Sequence, residues 1–119
     1  MLSDILIRVL LIVLPIASGS AIVWSARATA SGRIKRNWAV GIRVTASMTS
    51  EEAWLACHIR AQRPMIAGGV AMMIAGLAGF LPLPFSVATT VLGVGALVML
   101  ACVLYAGVVG VRAAKAIGG

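Results

Sequence analysis

Acid is almost missing from this chain. Its 119 residues include ten lysines and arginines but only three carboxylates, Asp4, Glu51 and Glu52. Charge of either sign is scarce as well, at 11% of residues, where a soluble domain carries about 25%. An ordinary water-soluble globule is therefore excluded. Disorder is excluded by the opposite quantity, because 61% of the residues are hydrophobic and disordered chains are poor in them. Aromatics make up only 5%, too few for a base-stacking platform. The net charge of +7 therefore does not point to nucleic acid.

The cysteines, Cys57 and Cys102, form no CxxC pair and no disulfide framework. The single histidine, His58, neighbours Cys57, but adjacent helical residues point about 100° apart and make a poor metal pair. No phosphate-loop glycine pattern, Ser/His/Asp set or carboxylate pair can be assembled. No catalytic residue, metal or cofactor is expected, and the chain is not read as an enzyme.

What is present in quantity is uninterrupted apolar sequence, with a mean hydropathy of +1.07. No charge interrupts Val9 to Ala26 or Met65 to Val111. A membrane-spanning helix takes about 20 apolar residues, so the first run holds one span and the second holds two. Pro82 and Pro84 divide the second run, since proline removes a donor and pushes its predecessor out of helical geometry. The expected fold is an all-α membrane protein, a single domain over 1–119. Its spans lie near 5–26, 65–82 and 85–111, with a structured cytoplasmic loop over 27–64. Small residues at Ser18-Gly19-Ser20-Ala21 could suit a cleaved signal peptide, but Asp4 and Arg8 make a weak positive region before the apolar run. A retained helix is expected.

Loop charge sets the orientation. Arg27, Arg33, Lys35, Arg36, Arg43, Arg60 and Arg63 outnumber Glu51 and Glu52 in the long loop, and Arg112 and Lys115 make the C-terminal end basic. Basic segments stay in the cytoplasm. The loop and C-terminus are thus expected inside and the N-terminus outside, an arrangement that three spans satisfy. The same charges are expected to attract anionic lipid headgroups.

No ionisable side chain lies at mid-depth of a span, which argues against proton-coupled transport. Small residues instead recur at helical spacing. Ala67, Ala71, Ala75 and Gly79 share a face of the second span; Gly93, Ala96, Gly107 and Gly110 cluster on the third; Ala17 and Ala21 form a shorter pair on the first. Such faces let helices approach closely in lipid. They are expected to pack the three helices together, or to dock another membrane protein or a second copy. Leu77, Phe80, Val94 and Val98 read as lipid-facing, and the methionines as packing.

The loop is too rich in specific residues for a tether. Thr49 and Glu52 form a capping box, with Ser50 the adjacent alternative. Glu51 and Glu52 complement the start of a helix dipole and Arg60 and Arg63 its end. A short interfacial helix is expected over about 50–63, which Pro64 either ends or kinks into the next span. On its wheel Ala53, Trp54, Cys57 and Ala61 share a face, while Glu51, His58 and Gln62 form a polar stripe. Trp38 and Trp54 fit interfacial anchors, with His58 a polar interfacial residue. Gly41 suits a turn or a close approach, and Arg43 is expected to bind backbone carbonyls, Glu52 or a lipid phosphate.

Asn37, Gly41-Ile42-Arg43, Thr49-Ser50-Glu51-Glu52-Ala53-Trp54 and His58, followed by two spans, together resemble the signature of the SdpI family over roughly residues 9–110. Val44-Thr45-Ala46 stands where many relatives have Thr-Pro-Trp. The resemblance implies a bacterial integral membrane protein, here a short form without the extra N-terminal spans of the best-known relative. That relative confers immunity to a secreted toxin and holds a repressor at the membrane. An interaction protein in toxin immunity or signalling is one expected function; an accessory subunit of a larger membrane complex is the other.

Overall fold

The structure is a computed structural model that describes residues 1–118. Its helices are α1 (Leu2–Ala30), α2 (Glu51–Leu77, running on as a short 3₁₀ turn over Ala78–Phe80) and α3 (Phe85–Gly118). Each is long and apolar enough to cross a membrane. Among the described residues there is no strand. Pro82 and Pro84 lie in the turn between α2 and α3, where Arg8 donates from Nη2 to the Leu83 carbonyl at 3.3 Å.

α2 is the shared spine. It packs along both α1 and α3, which barely touch each other. These contacts are made by residues with little or no side chain. A methyl on Gly69 would lie 2.7 Å from the Gly19 carbonyl oxygen, and one on Gly76 would lie 3.0 Å from that of Ile12. On the other side, a methyl on Gly68 would meet Cys102 at 2.9 Å, one on Gly95 would meet Ala75 at 2.6 Å, and one on Gly110 would meet the Cys57 carbonyl at 2.9 Å. With lipid tails as apolar as the helices themselves, close backbone approach rather than hydrophobic exclusion supplies the attraction.

The working faces differ in part from those read on helical wheels. Ala75 is buried and Ala71 half-buried, both toward Gly95, and Gly79 sits on Ile12. Ala67 is exposed, as are Ala17 and Ala21, and α1 uses Gly19 instead. On α3, Gly110 is buried and Ala96 half-buried, whereas a methyl on Gly93 or Gly107 would meet no neighbour within 4 Å. Leu77, Phe80, Val94 and Val98 are exposed.

The helix registers locate an apolar slab. Arg8 marks one edge, level with the Pro82–Pro84 turn. Carrying the Gly19–Gly69 register toward the other end sets Arg27 level with residues 61–63 of α2. The interval from Arg8 to Arg27 is free of charge, and at about 1.5 Å per residue it matches a hydrocarbon core of about 30 Å. The protein itself is 57 Å long. The surplus is larger at the Arg27 end, as the first turns of α2 and the last turns of α3, and smaller at the other, as the residues of α1 before Arg8.

The interfacial helix is not a separate element, because α2 is continuous through Pro64. Proline there removes one intrahelical donor. Packing on both sides holds the helix across the gap: Ala61 lies against Gly110 and Gly68 against Met99 and Cys102.

Gly69→Leu should therefore displace α1, lowering stability in detergent by about 1–3 kcal/mol, as overpacking does. Gly93→Leu should leave it unchanged. Thermal unfolding midpoints of the two variants would decide whether these glycines differ as described.

Candidate functional site

At the Arg27 end, residues 31–50 fold over α2 as a cap. None of the loop's apolar side chains is fully buried, and hydrogen bonds to its backbone organise it. Asn37 builds the first turn: its Oδ1 accepts from the amides of Ala39 (2.8 Å) and Val40 (2.7 Å), and its Nδ2 donates to the carbonyls of Lys35 (2.7 Å) and Val40 (3.1 Å). Arg43 folds back and donates from Nε to the Asn37 carbonyl at 2.8 Å. This is a backbone carbonyl, one of the partners foreseen for it.

Gly41 then brings the chain against α2. Its φ of +109° lies where L side chains rarely go, and a methyl there would sit 2.6 Å from the Trp54 ring and 2.8 Å from His58 Nε2. Both demands are met only by glycine. The next amide, of Ile42, donates to His58 Nε2 at 2.8 Å. The other ring nitrogen, Nδ1, lies 2.7 Å from the Trp54 carbonyl. An amide N–H only donates and a carbonyl only accepts, so His58 is neutral with its proton on Nδ1.

Trp54 and His58 form the floor of the cap. They are 1% and 2% exposed, and their rings lie 4.2 Å apart, tilted by 42°. Trp54 Nε1 donates to the Ile34 carbonyl at 2.9 Å. These positions correct two expectations. Trp54 is a core residue rather than an interfacial anchor, and His58 leaves the polar stripe for the interior because the loop crosses it there. Trp38 remains 82% exposed.

Ser47, fully buried, closes the second half of the cap. Its hydroxyl lies 2.6 Å from the Ile42 carbonyl and accepts from the Val44 amide at 3.1 Å. Thr49 donates to the Ala46 carbonyl and is spent in that turn. The helix cap is Ser50, whose hydroxyl accepts from the Ala53 amide at 3.0 Å. Glu51 pairs with Arg36, Nε to Oε1 at 3.0 Å, while a second Arg36 nitrogen donates to the Met48 carbonyl. Glu52 is exposed. Below the cap, Ala53 and Cys57 pack on Ala114 of α3, flanked by Ile42 and Ala46.

Arg36 and Ser47 were not singled out from sequence. Arg36 is one of several loop cations, and nothing in its neighbourhood marks it as the partner of Glu51. Ser47 is an ordinary polar loop residue until the turn closes around it. Among the described residues, every buried side-chain polar atom has a partner.

The cap and both helices that carry it coincide with a known sequence family. The model of the SdpI/YfhL protein family matches residues 33–114, from the start of the cap to the α3 alanine that meets Ala53. The chain belongs to this family. No curated protein and no solved structure matches it. SdpI is not known as an enzyme family. In this SdpI-family protein, Asn37, Gly41, Arg43, Glu51, Trp54 and His58 all take part in closing one loop over one helix.

Trypsin sites at Arg33, Lys35, Arg36 and Arg43 make the closure measurable. Gly41→Ala should destabilise the cap by about 2 kcal/mol, through strained φ and overpacking together, and speed cleavage at these sites. Acid should have a related effect. Protonating Nε2 turns it into a second donor facing the Ile42 amide, so cleavage should quicken as the pH falls while His58→Gln loses that response. Equal cleavage of wild type across the titration of histidine would contradict the latch.

Proposed function

We propose that this SdpI-family protein is a non-enzymatic, multi-pass protein of the bacterial cytoplasmic membrane whose cap docks another protein in toxin immunity or signalling. The supporting observation is how the cap uses its polar groups. Asn37, Ser47, Ser50, Glu51 and His58 spend theirs on the backbone of the loop and of α2 and on Arg36. An ordered surface results, carrying Trp38 at 82% and Val44 at 43% exposure. Exposed aromatics on a rigid support are the usual anchors of a protein interface. Of the titratable groups, both His58 nitrogens are engaged and Glu51 is paired, while Glu52 is exposed and Asp4 belongs to the opposite end. With the basic residues gathered around the cap, the positive-inside rule puts cap and C-terminus in the cytoplasm and the N-terminus outside.

A second reading rests on Gly93 and Gly107, whose small surfaces no helix of this chain covers. They suit an accessory subunit that packs on a larger membrane protein, or a homo-oligomer.

Affinity purification in mild detergent followed by native mass spectrometry separates the readings. The docking reading expects a partner that Trp38→Ala releases without changing the trypsin pattern of the cap, together with toxin sensitivity of a deletion strain. A fixed-ratio complex with a larger membrane protein, insensitive to Trp38→Ala and lost in Gly93→Leu, would favour the accessory subunit. Full toxin resistance of the deletion strain would count against the immunity role.

A further inference from the structure

A groove of about 380 Å³ runs between α1 and α2 and opens under the cap. Val23 and Met73 line its apolar part with Ser20, Trp24 stands at its edge, and Arg27 and Arg33 close its upper end. Neither arginine side chain hydrogen-bonds or pairs with an acid among the described residues; the carboxylates that do form ion pairs, Asp4 and Glu51, are engaged with the amino terminus and Arg36. Two arginines therefore line one opening with no countercharge among the described residues.

We propose that this groove binds the phosphate of one anionic phospholipid, with an acyl chain lying along Val23 and Met73. Depth selects a lipid over a free anion. Met73 packs on Gly19, well inside the charge-free interval of α1, whereas Arg27 lies at its end. The occupant must be apolar below and anionic above. Trp24, 56% exposed, sits one turn below Arg27, the level at which tryptophan borders headgroups. Arginine forks match the paired oxygens of a phosphodiester. A zwitterionic headgroup would add a cation beside two that already lack a counterion. The inference stands apart from whatever protein the cap docks, since it uses neither Trp38 nor the uncovered glycines.

The test uses the full chain in nonionic detergent with equimolar phosphatidylglycerol and phosphatidylcholine, with retained lipid read by native mass spectrometry. One phosphatidylglycerol per chain should survive in preference to phosphatidylcholine. The double variant Arg27→Gln/Arg33→Gln should weaken its retention about thirtyfold, at the usual strength of two basic contacts to anionic lipid. Arg60→Gln/Arg63→Gln removes the same charge outside the groove and should leave retention unchanged, and inorganic phosphate should not displace the lipid. An equal loss in both double variants, equal retention of phosphatidylcholine, or displacement by inorganic phosphate would overturn the proposal. Arg27→Lys/Arg33→Lys keeps the charge and loses the forks. It should retain lipid better than the glutamine pair, which guards against reading misfolding as lost binding.

Discussion

One backbone amide, that of Ile42, donates into the ring of His58, and the cap is built around that bond. The amide can reach the ring only because the preceding residue has no Cβ to hold the chains apart. The ring can accept only because its other nitrogen gives its proton to the Trp54 carbonyl, one helical turn away. That places Trp54 beneath Gly41, with its indole nitrogen turned toward Ile34. The loop is thereby tied to α2 on either side of its glycine, at Ile34 and at Ile42. Asn37 and Arg43 organise the segment between and beside those ties, and Ser47 and Ser50 carry the chain into the helix.

How far these features can be read from sequence depends on the range of the interaction that decides them. Apolar runs and prolines act locally, so three spans and the turn at Pro82 and Pro84 are legible. So is a turn at Gly41, because the positive φ it allows is a property of that residue, whereas its contact with Trp54 and His58 is not local. That Ala53, Trp54, Cys57 and Ala61 share a face of α2 is legible, but not that Trp54 is buried there, since its type also suits the interface. Nor is the burial of His58, because a wheel registers a polar residue beside Glu51 and Gln62 but not the loop that crosses above it. The spacing to Glu52 points to Thr49 as the helix cap with Ser50 as the alternative, but the preceding turn consumes the Thr49 hydroxyl at Ala46 and Ser50 caps the helix. The packing faces are hardest, since a chain with 13 glycines has small residues on more than one side of each helix. Which side is used depends on where the neighbouring helix lies, and that information is not local.

The continuity of α2 ties the cap mechanically to the membrane. A helix that stopped at Pro64 would leave a hinge between cap and spans. Here Ala53, Cys57, Ala61, Gly68 and Ala75 follow one another along the α3 side of a single helix, against Ala114, Gly110, Cys102 with Met99, and Gly95. The alignment crosses the proline without a break. Cap and spans are therefore carried by one helix, with Trp54 and His58 in its first turns and the Gly68 and Ala75 contacts further along it.

The arginines at the basic end separate by what accepts their hydrogen bonds. Topology asks only that positive charge be present on one side of the membrane, and any placement in the loop would satisfy it. Arg36 and Arg43 go further and bind acceptors within the cap, at Glu51, Met48 and Asn37, so their side chains are parts of the fold. Arg27 and Arg33 converge on a groove without finding an acceptor there. Net charge cannot distinguish these two classes, because both contribute equally to the excess. Following each donor to its acceptor does, and it separates the cations that hold the loop from those, Arg27 and Arg33 among them, with no acceptor among the described residues.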